Sequence, residues 1–317
     1  MAVSIQDVDK VEILTLQDNY IELTSMDNTE IVNRALPLKD MEVKNSVSAE
    51  HGFSALVSVT DGEAAHQLLF DFGFSENGAA ANADALSVDM SGVETCCLSH
   101  GHLDHTGGIQ ALAEMIGKTD LDLVVHPAAF RNPRYMQIME EMKVFFPPFT
   151  KEKVEKAGLH LVETEAAYGM LDDRVFFLGQ IPRTTDFEKG APNLFFEENG
   201  EEKLDTFDDD TAIVMNLRGK GLVVLSGCAH SGIINTIRYA KEVTGVDTVH
   251  AVMGGFHLSG PGFDEVIVAT TKALKELNPT YVIPTHCTGR KAAMYMEKEM
   301  PDQFLLNMAG TRMTFAG

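Results

Sequence analysis

The sequence predicts an α/β chain in which two β-sheets pack face to face with helices on the outside. Three observations predict it. Short β-rich runs crowd the first hundred residues, strands alternate with helical patterns in the later half, and no stretch reads as a flexible interdomain linker. Sheets and helices must each bury an apolar side against another layer, and this order of elements fits a layered sandwich.

Apolar runs at 11–16, 55–60 and 67–72 read as strands, and the run at 93–98 leads directly into a histidine cluster. Spacing at 107–116 is helical, and 121–125 returns to strand. Further strands are expected at 175–178, 212–217, 222–225, 248–253 and 281–283, with helices at 233–243, 264–277 and 291–299. Two segments depart from this rhythm. Residues 127–160 are rich in Phe, Met and Pro; they read either as an inserted helix with a Met face on the body or as a lid that gives a pocket an apolar wall. Residues 197–210, EENGEEKLDTFDDD, read as a solvated acidic loop whose last members abut a strand. The expected organisation is one domain, 1–317, with a lid-like insert at about 127–160.

Composition bounds the partners. Hydrophobic residues make up 44% and charged residues 23%, which is globular usage. Lys plus Arg number 25 against 47 Asp plus Glu, so 25 − 47 gives a net charge of −22. That balance excludes a nucleic-acid partner, which needs clustered cations. It leaves room for a small-molecule substrate, and for a homo-oligomer. No apolar run approaches the ~20 residues needed to span a bilayer, and the start MAVSIQDVDK carries no secretory pattern, so no membrane partner is expected. Four cysteines (Cys96, Cys97, Cys228, Cys287) include no CxxC pair. Reduced thiols and a cytoplasmic location are the expectation.

The chemistry concentrates in His100-Gly101-His102-Leu103-Asp104-His105. Four donors within one tight loop after a strand can converge on metal without large backbone movement. Imidazoles suit Zn and Fe, and the carboxylate adds a hard donor able to hold a second cation. One or two divalent cations are expected, zinc first, with Fe or Mn as alternatives. His257 follows two glycines and is a candidate substrate contact. Arg183 is the candidate for holding an anionic group through its planar fork, with a structural pairing to Asp186 or Glu188 as the other reading. His66, His126, His160 and His250 have no ligand-like neighbours and read as ordinary histidines.

The hexad HGHLDH resembles the hallmark of the metallo-β-lactamase superfamily, which implies a four-layer αββα sandwich. Asp71-Phe72-Gly73 is similar to a turn that precedes the hexad in that superfamily, and Gly227-Cys228-Ala229-His230 and Pro284-Thr285-His286 stand where its later ligands lie. The strings HGFSALV (51–57), GQIPRTTDFE (179–188), GCAHSGIINT (227–236), GGFHL (254–258) and THCTG (285–289) resemble a subfamily. It takes its name from 7,8-dihydropterin-6-methyl-4-(β-D-ribofuranosyl)aminobenzene-5′-phosphate synthase. The resemblance implies His100 and His102 on a first metal, and Asp104, His105 and His286 on a second. It also implies His230 as a later ligand, Cys228 in the usual place of a bridging carboxylate, and His51 facing the pocket. Asp209 or Asp210 is the other candidate for the missing carboxylate. The implied activity is metal-dependent and hydrolase-like, with Asp104 catalytic, on a small phosphorylated or pterin-like molecule, or a synthase-like transfer. A metal-binding sensor without turnover and a glyoxalase-type thioesterase are the alternatives. A phosphorylated substrate would need the metals and Arg183, with Arg131 or Arg134 as further candidates, to reverse the local field.

Overall fold

The computed structural model describes residues 3–38, 41–43, 45–139 and 141–317. In strand Ser54–Asp61, Ala55, Val57 and Val59 join one apolar cluster while Leu56 joins another. In strand Ala64–Phe70, Leu68 and Phe70 go to the first cluster and Leu69 to the second. Side chains alternate across a strand, so a sheet with apolar residues on both faces must be covered on both. It is covered by a second sheet on one face and by helices Gly78–Ala85 and Ile109–Ile116 on the other.

Two large sheets result. One has eight strands; near one edge Arg312–Ala316 pairs antiparallel with Lys10–Gln17 on one side and with the edge strand Val32–Asn33 on the other. The other has seven, among them Ala212–Leu217, Gly221–Ser226, Val249–Gly255 and Tyr281–Thr285. The cluster between the sheets includes Ile13, Val57, Phe70, Met215, Leu225 and Met253. Each such fully buried side chain is worth about 1.5–3 kcal/mol relative to exposure. Helices Ile233–Thr244, Asp264–Leu277 and Arg290–Glu299 pack on the outer face of the seven-stranded sheet. The architecture is αββα, as the sequence predicts. Among the described residues no helix is long and apolar enough to cross a membrane.

The Met-bearing part of the Phe/Met/Pro segment is not the inserted helix that one of its two readings expects. Residues Arg134–Met139 and Met142–Phe145 form a hairpin, and Leu194–Glu198 and Glu201–Leu204 add a second, giving a separate four-stranded sheet. Alternation decides against the helix: Tyr135 is buried between Phe145 and Phe195, whereas its neighbour Met136 lines the cleft. Residues 151–163 return to the body, where Leu159–Glu163 extends the eight-stranded sheet beside Leu121–Val125.

Candidate metal centre

Parallel pairing brings strand ends together. Gly221–Ser226, Val249–Gly255 and Tyr281–Thr285 run side by side in one sheet, and Ala64–Phe70 and Val93–Cys97 in the other. Ligands in α/β proteins gather beyond the carboxyl ends of such strands. Here those ends deliver Asp71, the hexad, Cys228, His257 and His286 to one place. The turns are tight: Asp71, Ala229, His257 and His286 have φ of 60°, 51°, 43° and 45°. Non-glycine residues held there store strain, and such strain gathers at functional sites. Gly227 permits the two sheets to close, because a Cβ there would collide with Ser99 and Asp71.

The donors form overlapping groups, each with ligand atoms within 4.8 Å of one another. Asp104, His105, Cys228 and His286 make one; His100, Cys228 and His230 make another; His100, His102 and Asp104 bridge them. Within them His105 Nε2 lies 3.1 Å from Cys228 Sγ, His286 Nε2 3.1 Å from Asp104 Oδ2, and His100 Nε2 3.1 Å from His102 Nδ1. The sulfur of Cys228 therefore sits between a His100/His102/His230 side and an Asp104/His105/His286 side. His102 Nε2 and both ring nitrogens of His230 are buried without a hydrogen-bond partner. Orphaned buried nitrogens are costly unless something accepts their lone pairs. A divalent cation on each side fits this donor set.

A surrounding layer fixes the rings. His105 Nδ1–H donates to Asp71 Oδ2 at 2.6 Å, and Asp71 also accepts from Ser99 N and Ser99 Oγ, each at 2.7 Å. His286 Nδ1–H donates to Asn19 Oδ1 at 3.1 Å, and the His286 backbone N–H donates to Asp18 at 2.8 Å. In both rings the Nδ1 bond leaves Nε2 free for a metal, as such outer partners commonly do. Phe207 stacks flat on His230 at 4.2 Å. Burial pushes His102 down to about 3 and holds His100 and His230 well below the usual histidine value, so these rings are neutral. Burial would also lower His105, but the carboxylates of Asp71 and Asp104 lift it to about 9. A cation arriving at His105 must displace that proton.

The remaining candidates separate. His51 stands at the cleft, its Nε2 3.4 Å from Asp104 Oδ2, and His257 packs its ring 4.1 Å from that of His230. Neither Asp209 nor Asp210 replaces the missing carboxylate. Asp209 is clamped by Arg134 at 2.6 and 3.0 Å and accepts from Gly101 N at 2.9 Å. Asp210 accepts from His230 N and Ser231 N, so it shapes the His230 turn. The expectation of free arginines for an anionic substrate is corrected. Arg183 donates to the carbonyls of His230 and Thr206, each at 2.9 Å, and makes no ion pair among the described residues. Arg131 is paired with Asp208 at 2.5 Å, and Arg134 with Asp205 and Asp209. The four unremarkable histidines lie elsewhere: His66 with Glu94, His160 with Asp122, His126 capping Ala128, and His250 against Tyr281. Arg183→Ala should lower stability by about 2 kcal/mol through its lost hydrogen bonds and leave the substrate KM unchanged. Thermal melts beside steady-state kinetics check this; a large KM rise with an unchanged melt would restore the substrate role.

Asp18, Asn19, Asp71 and Ser99 orient the ligands and went unassigned in the sequence. Asp18, Asn19 and Ser99 lie just past the ends of predicted strands, and Asp71 opens the turn already noted ahead of the hexad.

Over the donors lies a cleft of about 790 Å³. Phe74, Met136, Phe146, Pro147, Pro192 and Phe263 wall it, and no Lys or Arg is among its lining residues. Phe146 and Met136 come from the small sheet, which acts as the roof.

The fold, with its hexad and clustered donors at the strand ends, is that of the metallo-β-lactamase superfamily. The chain is similar along its length to the dihydropterin synthase named above. It is 29% identical over 323 aligned positions to 7,8-dihydropterin-6-methyl-4-(β-D-ribofuranosyl)-aminobenzene-5′-phosphate synthase of Methanocaldococcus jannaschii, covering 99% of this chain and 100% of that one. It is 31% identical over 251 positions to an uncharacterized protein of the same organism, covering 77% of this chain and 86% of the other. Among solved structures, a metal-dependent hydrolase of the β-lactamase superfamily superposes with a TM-score of 0.71 at 25% identity, over 97% of this chain and 100% of its own. No family model matches the chain.

Proposed function

We propose that this protein is a hydrolase-like enzyme that uses one or two divalent cations, zinc first, against a carbonyl or phosphorus centre of a small molecule. The convergence of two donor groups on Cys228 beneath an open cleft is the observation that carries this reading. A purely structural zinc would favour a closed four-ligand site. His100, His102 and His230 would hold one cation and Asp104, His105 and His286 the other, with Cys228 between them. Cations held by these residues would supply a coordinated water of pKa about 7 and polarisation of the electrophile.

The chain's own residues supply the rest. Asp104 is the carboxylate placed to orient the attacking water and take its proton. Burial alone would raise its pKa, but His105, and hydrogen bonds from His286 and His51, hold it well below the usual carboxylate range. His51 braces Asp104 from the solvent side, and His257 stands across the cleft beside His230. Phe146, Pro147 and Phe263 exclude water around a substrate and favour a flat, apolar body. With the nearby arginines already paired, the cations carry the affinity for any anionic group.

Full-length similarity to a synthase supports a second reading, a transfer onto a pterin-like substrate. Metal-stripped protein, reloaded with Zn, Mn or Fe, should be assayed on ester, thioester, phosphodiester and pterin substrates. Turnover that appears only after reloading is the expected result. Tight binding of one of these compounds without turnover would overturn it in favour of a sensor.

A further inference from the structure

Cys287 and His257 belong to neither side of the centre described above. They stand with Cys228 as a third donor group, with Sγ, Sγ and a ring nitrogen all within 4.8 Å of one another. Three separate strand ends build it. Cys228 follows Gly221–Ser226, His257 follows Val249–Gly255, and Cys287 follows Tyr281–Thr285. The two thiols straddle Gly255, where a Cβ would meet Cys287 Sγ at 2.6 Å and the Cys228 Cα at 3.2 Å. Glycine at 255 thus keeps open the space in which the thiols approach each other. His257 Nδ1 is buried and has no hydrogen-bond partner, and the Cys287 thiol is in hydrogen-bonding contact with the side chains of both Cys228 and His257 and lies 3.5 Å from the Cys228 carbonyl. His257, Cys228 and Cys287 all line the cleft.

We propose that Cys228, His257 and Cys287 form a further cation position, selective for thiophilic metals such as Zn²⁺ or Cd²⁺, that shares the Cys228 sulfur with the other two groups. Two thiolates and an imidazole are the donors that soft and borderline cations prefer, and carboxylate-seeking cations such as Mg²⁺ do not. A tetrahedral zinc with Zn–S of about 2.3 Å holds its sulfurs roughly 3.8 Å apart, which this spacing allows. Three protein ligands would leave a fourth position for water or another ligand, and all three residues line the cleft. The position does not depend on which substrate is cut, or on whether one is cut at all.

The test uses the full chain, reduced and stripped of metal, titrated with Cd²⁺ in the absence of substrate. Bound cadmium is counted by elemental analysis, and thiolate-to-cadmium charge transfer is followed in the ultraviolet. Wild type should approach about three equivalents. Cys287→Ser should lose one equivalent and roughly half of the charge-transfer band, because one of two thiolate ligands is gone. His257→Gln should weaken the same equivalent and leave the others. Matching melting temperatures for the metal-free proteins show that the variants fold. A Cys287→Ser protein with the wild-type stoichiometry and band overturns the proposal, as does a wild type saturating at two equivalents with the band of a single thiolate. Failure of the hydrolytic reading would show as absent turnover with this third equivalent still bound.

Discussion

Asp104→Asn should lower turnover by roughly 10²–10⁴-fold, the usual worth of a positioned acid–base group, while the fold persists. The side chain is mostly buried at the junction of both donor groups and contacts His286, His105 and His51. The isosteric amide keeps the volume but loses the charge and the proton acceptor. Metal content of the Asp104/His105/His286 side should fall with it, since a neutral amide is a poorer ligand. Steady-state kinetics on the metal-reloaded variant, with elemental analysis alongside, check both parts. Wild-type rates from a fully loaded variant would remove Asp104 from the chemistry.

Arg134→Met should be the most destabilising single change near the site. Arg134, Asp205 and Asp209 are all nearly inaccessible, and the guanidinium is shared between the two carboxylates at 2.6–3.0 Å. Removing one partner of a buried pair leaves uncompensated charge and costs roughly 3–5 kcal/mol. For a chain of this size that is a melting-temperature loss on the order of 10 °C. Adding Asp209→Asn to the variant should recover part of the loss, and this double-mutant cycle separates the ion pair from packing. The pH dependence has a defined sign. Burial works to raise the Asp209 pKa, but Arg134 overrides it and holds the carboxyl far below the usual range. A depressed folded pKa gives stability that is complete above the unfolded value of about 3.9 and fades as pH falls through the folded value. Arg134→Met should therefore have a shallower acid limb in a plot of melting temperature against pH; an unchanged limb would contradict this account of Asp209.

Both sheets of the fold could be read from apolar runs, because strands buried on both faces announce themselves by continuous Val, Leu and Ile. The helix Gly78–Ala85 was missed, since GAAANADA has no apolar stripe and buries alanines around most of its circumference. The strand Arg312–Ala316 was missed for a different reason. Its partner lies at the other end of the chain, and periodicity carries no information about such pairing. At the site, the hexad was legible because its donors are contiguous. Asn19 was not, and Asp71 was legible only as a turn, because their roles depend on the rings they face, His286 and His105, which arrive from distant segments. Arg183 was open to two readings, an anion holder or a structural pairing with Asp186 or Glu188; its guanidinium donates to the backbone carbonyls of Thr206 and His230, partners that no sequence spacing indicates.

The roof and the first metal loop are mechanically one piece. Arg134 begins a roof strand, grips Asp209, and Asp209 in turn holds the backbone N–H of Gly101 between His100 and His102. A sequence change in the roof that alters which molecules are admitted will also alter how firmly the His100/His102 side grasps its cation. Relatives that diverge in substrate would then have to re-tune metal affinity in the same steps, so selectivity and metal retention would evolve as a single linked trait.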